Sequence, residues 1–119
     1  MKILVCDDEE TVCLFISMVL EPEGHEIETA FDGQDALEKI QANPNSYDVL
    51  ITDLKMPRLS GIELIKKLRA LGMPLKIMMI TGFVSQLKSK AGGHPLFDRL
   101  LPKPFRAAEL LNCFNDLIC

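Results

Sequence analysis

The chain alternates between short apolar runs and longer segments whose apolar residues recur every three or four positions. The runs are Lys2 to Cys6, His25 to Ala30, Val49 to Ile51 stopping at Asp53, Lys76 to Ile80, and Phe97 to Leu101. A continuous apolar run suits a strand buried on both faces of a sheet. His25 to Ala30 is different: Ile27, Thr29 and Phe31 alternate with other residues, as on an outer strand. In the longer segments, Val12, Phe15, Ile16, Val19 and Leu20 make one helical stripe, stopped by Pro22 and Gly24. Ala36, Leu37 and Ile40 predict a short helix after the Asp32-Gly33 turn. Ser60-Gly61-Ile62-Glu63 reads as a capping box. It opens a helix carrying Ile62, Ile65 and Leu68, flanked by Leu64 and Leu71, with Lys66, Lys67 and Arg69 on its solvated face. Residues 84–91 offer Val84, Leu87 and Ala91 for a shorter helix, ended by Gly92-Gly93 and Pro95. Leu110, Leu111, Phe114, Leu117 and Ile118 stripe the last one.

Five strand-then-helix repeats predict an α/β fold, a single doubly wound parallel sheet of five strands with five helices on its two faces. Its crossovers should be right-handed. The pattern shows no internal repeat, linker or low-complexity tail, so residues 1–119 are expected to form one domain.

Composition narrows the function. The 48% of hydrophobic residues is enough for a real core, and a net charge of −4 argues against direct nucleic-acid binding. Asp7, Asp8, Glu9 and Glu10 form one acidic cluster, which repels phosphate unless a cation intervenes. No apolar run approaches the roughly 18 residues that span a membrane, and the start of the chain does not read as a signal peptide. Cys6, Cys13, Cys113 and Cys119 have no metal-type spacing, and with only His25 and His94 beside them a zinc site is not expected. They read as reduced, mostly packed thiols of a cytoplasmic protein.

Polar residues gather where the strands end. Asp7 and Asp8 end the first, Asp53 the third and Thr81 the fourth, and Lys103 follows the fifth. In a parallel sheet these ends share one edge, where open α/β folds place their ligands. Three adjacent carboxylates call for a counter-charge. A hard divalent cation held by oxygens supplies it: Mg²⁺, or another such as Mn²⁺, takes one or two carboxylates, waters and phosphate oxygens. A lysine and a hydroxyl beside it suit further phosphoryl oxygens. A carboxylate can itself be the nucleophile and form an acyl phosphate.

These pieces resemble the receiver (response-regulator) domain of two-component signalling over essentially the whole chain. The matching residues are the strand ending in Asp7-Asp8-Glu9, the Asp53-x-x-Met56-Pro57-x-x-x-Gly61 loop, Thr81-Gly82, and Lys103-Pro104-Phe105. The resemblance implies a flavodoxin-like fold with strand order 2-1-3-4-5. It implies Asp53 as phosphoacceptor in a Mg²⁺-dependent transfer from a phosphohistidine of a histidine kinase or histidine phosphotransfer protein. By it, Asp8, Asp53 and the backbone carbonyl of Lys55 hold the cation, with Asp7 acting through water. Thr81 and Lys103 contact the phosphoryl group, and the Lys103–Pro104 bond is cis. Lys55 and Phe83 fall at the positions that flank the approach of water to the phosphorus. The chain is expected to be a stand-alone regulator or the receiver of a larger protein: a phosphoacceptor signalling domain rather than an enzyme, with an unnamed downstream partner and no membrane.

Two departures bear on output. Receivers commonly carry an aromatic residue three positions before the lysine, and here that residue is Leu100; Gly92-Gly93-His94-Pro95 replaces the usual Gly-Ala pair before the fifth strand. The rival readings are a phosphorylation-independent interaction module and an aspartyl-phosphate phosphatase. The phosphatase wants a second Asp two residues after the nucleophile, where this chain has Lys55.

Overall fold

The computed structural model describes residues 1–85 and 96–119. Five strands are described among these residues: β1 (Lys2–Cys6), β2 (Glu26–Ala30), β3 (Val49–Asp53), β4 (Lys76–Thr81) and β5 (Arg99–Pro102). They form one sheet in the order β2-β1-β3-β4-β5, and every pairing is parallel. Four helices are described: α1 (Glu10–Leu20), α2 (Gly33–Ala42), α3 (Gly61–Ala70) and α4 (Ala107–Ile118). A 3₁₀ turn, Glu21–Glu23, follows α1. The further helix expected at 84–91 falls almost wholly outside the described residues.

The period of two along each strand divides the core. Leu4, Cys6, Leu50, Ile77 and Met79 face one side with Leu37, Ile40, Leu64 and Leu68 of α2 and α3. Ile3, Val5, Val49, Ile51, Met78 and Ile80 face the other with Ile16, Leu20, Leu110 and Phe114 of α1 and α4. β3 is buried at every position, as its unbroken apolar run requires. Tyr47, just before it, is buried and donates its hydroxyl to Glu28 at 2.8 Å.

Several sequence expectations shift. The buried stripe of α1 is Cys13, Ile16 and Leu20, whereas Phe15 is partly exposed against Phe105. Cys13 serves there as a small hydrophobe in the core on that side of the sheet. Phe31 lies just past the end of β2 and is exposed, so Ala30 is the buried residue of that strand end. β5 begins two residues late, at Arg99: the Asp98 N–H still donates to the Ile77 carbonyl at 2.8 Å, but the Asp98 side chain takes the return bond in place of a backbone carbonyl. Its Oδ2 accepts from the Ile77 N–H at 2.8 Å and from Arg69 at 3.3 Å. Arg69 is therefore not a solvated residue: it also donates to the carbonyls of Leu96, Met73 and Leu75. Leu71 is exposed beyond the end of α3. The Ser60–Glu63 capping box is formed in both directions, and Lys103–Pro104 is cis. Among the described residues, no helix is long and apolar enough to cross a membrane.

Candidate functional site

The register sets the site. Asp53, the last residue of β3, pairs with Ile80, one short of Thr81, and Thr81 pairs with Pro102, one short of Lys103. The Lys103 N–H donates to the Thr81 carbonyl at 2.8 Å and continues that ladder. Asp7 follows β1 directly, and its N–H is fixed by the Ala30 carbonyl at 3.1 Å. The carboxylates of Asp7, Asp8 and Asp53 thus offer oxygens all within 4.8 Å of one another.

Lys103 bridges them. Its Nζ lies 2.8 Å from Asp7 Oδ2, 3.4 Å from Asp53 Oδ2 and 3.6 Å from Glu9 Oε1. Glu9 belonged to the acidic run in the sequence but carried no individual role there. The other oxygens are engaged locally: Asp7 Oδ1 accepts the Glu9 N–H at 2.9 Å, and Asp53 Oδ1 accepts the Leu54 N–H at 2.8 Å. Asp7 and Asp53 are buried, Asp8 is exposed. Thr81 is fully buried, and its Oγ1 accepts the Phe83 N–H at 2.8 Å. That bond uses an acceptor position of the hydroxyl and leaves its proton for another group.

Charge is unbalanced here. Burial pushes the Asp7 carboxyl up, against the pull of Lys103 and the Glu9 N–H. Burial raises Asp53 too, the Asp7 charge adds to it, and Lys103 opposes. For Lys103 burial acts downward, but its bond to Asp7 and the charges of Asp7, Asp53 and Glu9 win, and its pKa is raised. One ammonium meets three carboxylates, and Asp8 lies beside them. Oxygen donors at this spacing with negative charge in excess fit a hard divalent cation.

The loop from Leu54 to Gly61 walls the site. It closes on itself where the Gly61 N–H donates to the Leu54 carbonyl at 2.7 Å. A Cβ on Gly61 would run into the Asp53 carbonyl oxygen, so only glycine permits this approach. Lys55 is exposed, and its ammonium sits over the Phe83 ring, 4.2 Å from the centroid. The sequence marked both positions, but their mutual contact is visible only in three dimensions. Leu100 packs on the core that lies against α2 and α3.

The sequence and the fold are both similar to known proteins. The family model described as the response regulator receiver domain matches residues 3–115. The response regulator MprA of Mycobacterium avium is 39% identical over 118 residues, covering 99% of this chain and 51% of MprA. The response regulator receiver protein CpdR of Brucella abortus is 32% identical, covering 98% of this chain and 96% of CpdR. The chain thus spans about half the length of MprA, as it does of the transcriptional regulatory protein DltR of Streptococcus agalactiae. Among solved structures, the response regulator TrrA of Thermotoga maritima in complex with Mg(2+)-BeF superposes with a TM-score of 0.84 at 33% identity, covering 98% of this chain and 97% of TrrA.

Proposed function

Because the chain belongs to the response regulator receiver family of two-component signalling, we propose that it accepts a phosphoryl group on Asp53 from a phosphohistidine of a histidine kinase or histidine phosphotransfer protein. The observation that carries this reading is the position of the Lys103 ammonium, between Asp7 and Asp53 at the carboxyl edge of the sheet. A carboxylate oxygen of Asp53 attacks phosphorus, a phosphorus–oxygen bond forms, the phosphorus–nitrogen bond breaks, and the donor imidazole leaves. The Leu54 N–H fixes the carboxylate from the backbone side. Lys103 and the Thr81 hydroxyl proton meet the transferred oxygens, because phosphoryl transfer is mainly positioning and charge neutralisation.

Asp8, Asp53 and the Lys55 carbonyl would hold Mg²⁺, with Asp7 acting through water. When bound, Mg²⁺ neutralises charge on the carboxylates and on the incoming group. The Mg(2+)-BeF complex of TrrA supports this assignment. A cytoplasmic location, within reach of such donors, belongs to the same reading.

Acetyl phosphate with Mg²⁺ tests it. The parent chain should gain one hydroxylamine-labile phosphoryl group, and Asp53→Asn should gain none. A parent that takes no phosphate under these conditions favours the phosphorylation-independent module.

A further inference from the structure

The wall of the site contains a strained turn. The Leu59 N–H donates to the Pro57 carbonyl at 2.8 Å, which places Arg58 at the centre of a γ-turn. Arg58 has φ 67°, the sole positive φ outside glycine among the described residues. A γ-turn of this hand is rare and strained. A side chain bearing a Cβ persists in such a conformation only where its surroundings enforce it.

The enforcing contact comes from α2. Arg58 Nε and Nη2 donate to Asp32 Oδ2 and Oδ1, each at 3.1 Å, in the two-pronged geometry that fixes orientation as well as distance. Asp32 is itself immobilised as the N-cap of α2, where its Oδ1 accepts the Asp35 N–H at 2.7 Å. A second contact seats the same wall: a Cβ on Gly33 would strike the Leu59 carbonyl, so the start of α2 lies flush against the turn. An exposed ion pair usually contributes little. This one is bidentate, and it acts on a backbone that resists its own conformation.

We propose that the Arg58–Asp32 pair is a positioning clamp for the cation site. It holds the strained turn and so steadies the segment that carries the Lys55 carbonyl, the proposed backbone ligand. The pair couples the start of α2 to cation affinity, although neither side chain is assigned to the ion. The inference rests on the proposed cation site.

The charge of Arg58 makes the idea testable by direction. Simple electrostatics predicts that removing a cation near a cation site tightens binding. The clamp predicts the reverse. Mn²⁺ binding to the full chain is measured by loss of the free-ion paramagnetic resonance signal, with melting in chelator to show that each variant is folded. Arg58→Ala keeps the strain and removes the clamp, and should weaken Mn²⁺ binding about tenfold, the scale on which outer contacts tune metal sites. Arg58→Gly removes the same charge but accepts positive φ freely, and should recover part of that loss. If Arg58→Ala fails to fold, Arg58→Gly must still bind Mn²⁺ more weakly than the parent. Unchanged or tighter binding in the folded variants overturns the clamp. So does an Arg58→Gly no better than a folded Arg58→Ala. A parent that binds no Mn²⁺ points instead to failure of the site itself.

Discussion

Two cationic side chains organise two polar networks in this molecule, and they are built on opposite principles. Arg69 meets one carboxylate, Asp98, and spends its remaining donors on the carbonyls of Leu96, Met73 and Leu75. Lys103 meets Asp7, Asp53 and Glu9, with Asp8 beside them. The first network is balanced, and every contact ties one segment of chain to another. The second is short of positive charge and converges on a point. A balanced network is what structure requires. An unbalanced one built around two buried carboxylates leaves charge for a cation to complete, which is the ground for the proposed site.

Four variants press on this contrast. The largest effect should come from Asp8→Asn. Cation binding and phosphorylation by acetyl phosphate should fall to background together. An unchanged Mg²⁺ titration in that variant removes Asp8 from the site.

Arg69→Ala should act on the other network alone. Losing hydrogen bonds from a charged donor to several carbonyls should cost about 2 kcal/mol of stability. Phosphoryl uptake at a temperature where the variant is folded should stay at the parent level. Denaturant melts and an uptake assay on one sample read both.

Neutralising the unbalanced network should have the opposite sign. The pKa of Asp53 is raised by burial and by the Asp7 charge. Its contribution to folding is therefore fully present below its unfolded pKa and is lost as pH rises through its folded pKa. Asp53→Asn should abolish phosphorylation yet raise the Tm of the cation-free chain at neutral pH by about 2–5 °C. Its advantage should shrink as pH falls through the carboxylate range. A neutral-pH Tm below that of the parent contradicts this account of the charge.

The smallest effect concerns how long the phosphate lasts. Lys55 over Phe83 places an ammonium and an aromatic ring beside the site, and neither can orient a water as a carboxamide or carboxylate would. Lys55→Asn combined with Phe83→Glu should speed phosphate loss roughly tenfold, about 1.4 kcal/mol of barrier. Decay of labelled phosphoprotein checks it, and equal rates dismiss the pair.

What the sequence reveals about the two networks differs in the same way. Asp7, Asp8, Asp53, Thr81 and Lys103 were legible because each sits at the end of an apolar strand, and a parallel sheet brings such ends together whatever the details. The sheet and both cores followed from period-two and helical patterns in the same manner. Arg69 departs from the expected solvated face because helical periodicity reports which face a residue occupies, not what a long side chain can reach from the border of that face. Phe15 leaves the buried face for a related reason: a stripe five residues wide does not say which of its edges meets the sheet. Arg58 left no local signal. Its conformation and its tie to Asp32, 26 positions away, exist only once the β3–α3 loop lies against α2.

Tyr47 has a practical consequence for all of these measurements. The chain has one tyrosine and no tryptophan. That tyrosine precedes the first residue of β3, while Asp53 is the last, so the intrinsic fluorophore stands a full strand away from the chemistry. Its phenol is committed to Glu28, and burial followed by that bond pushes its pKa up to about 12. Ultraviolet emission should therefore follow global unfolding and stay silent through cation or phosphate binding. An optical assay for this protein needs an installed reporter, and the exposed ring position at Phe83, whose N–H already touches Thr81, is where a tryptophan would see the event.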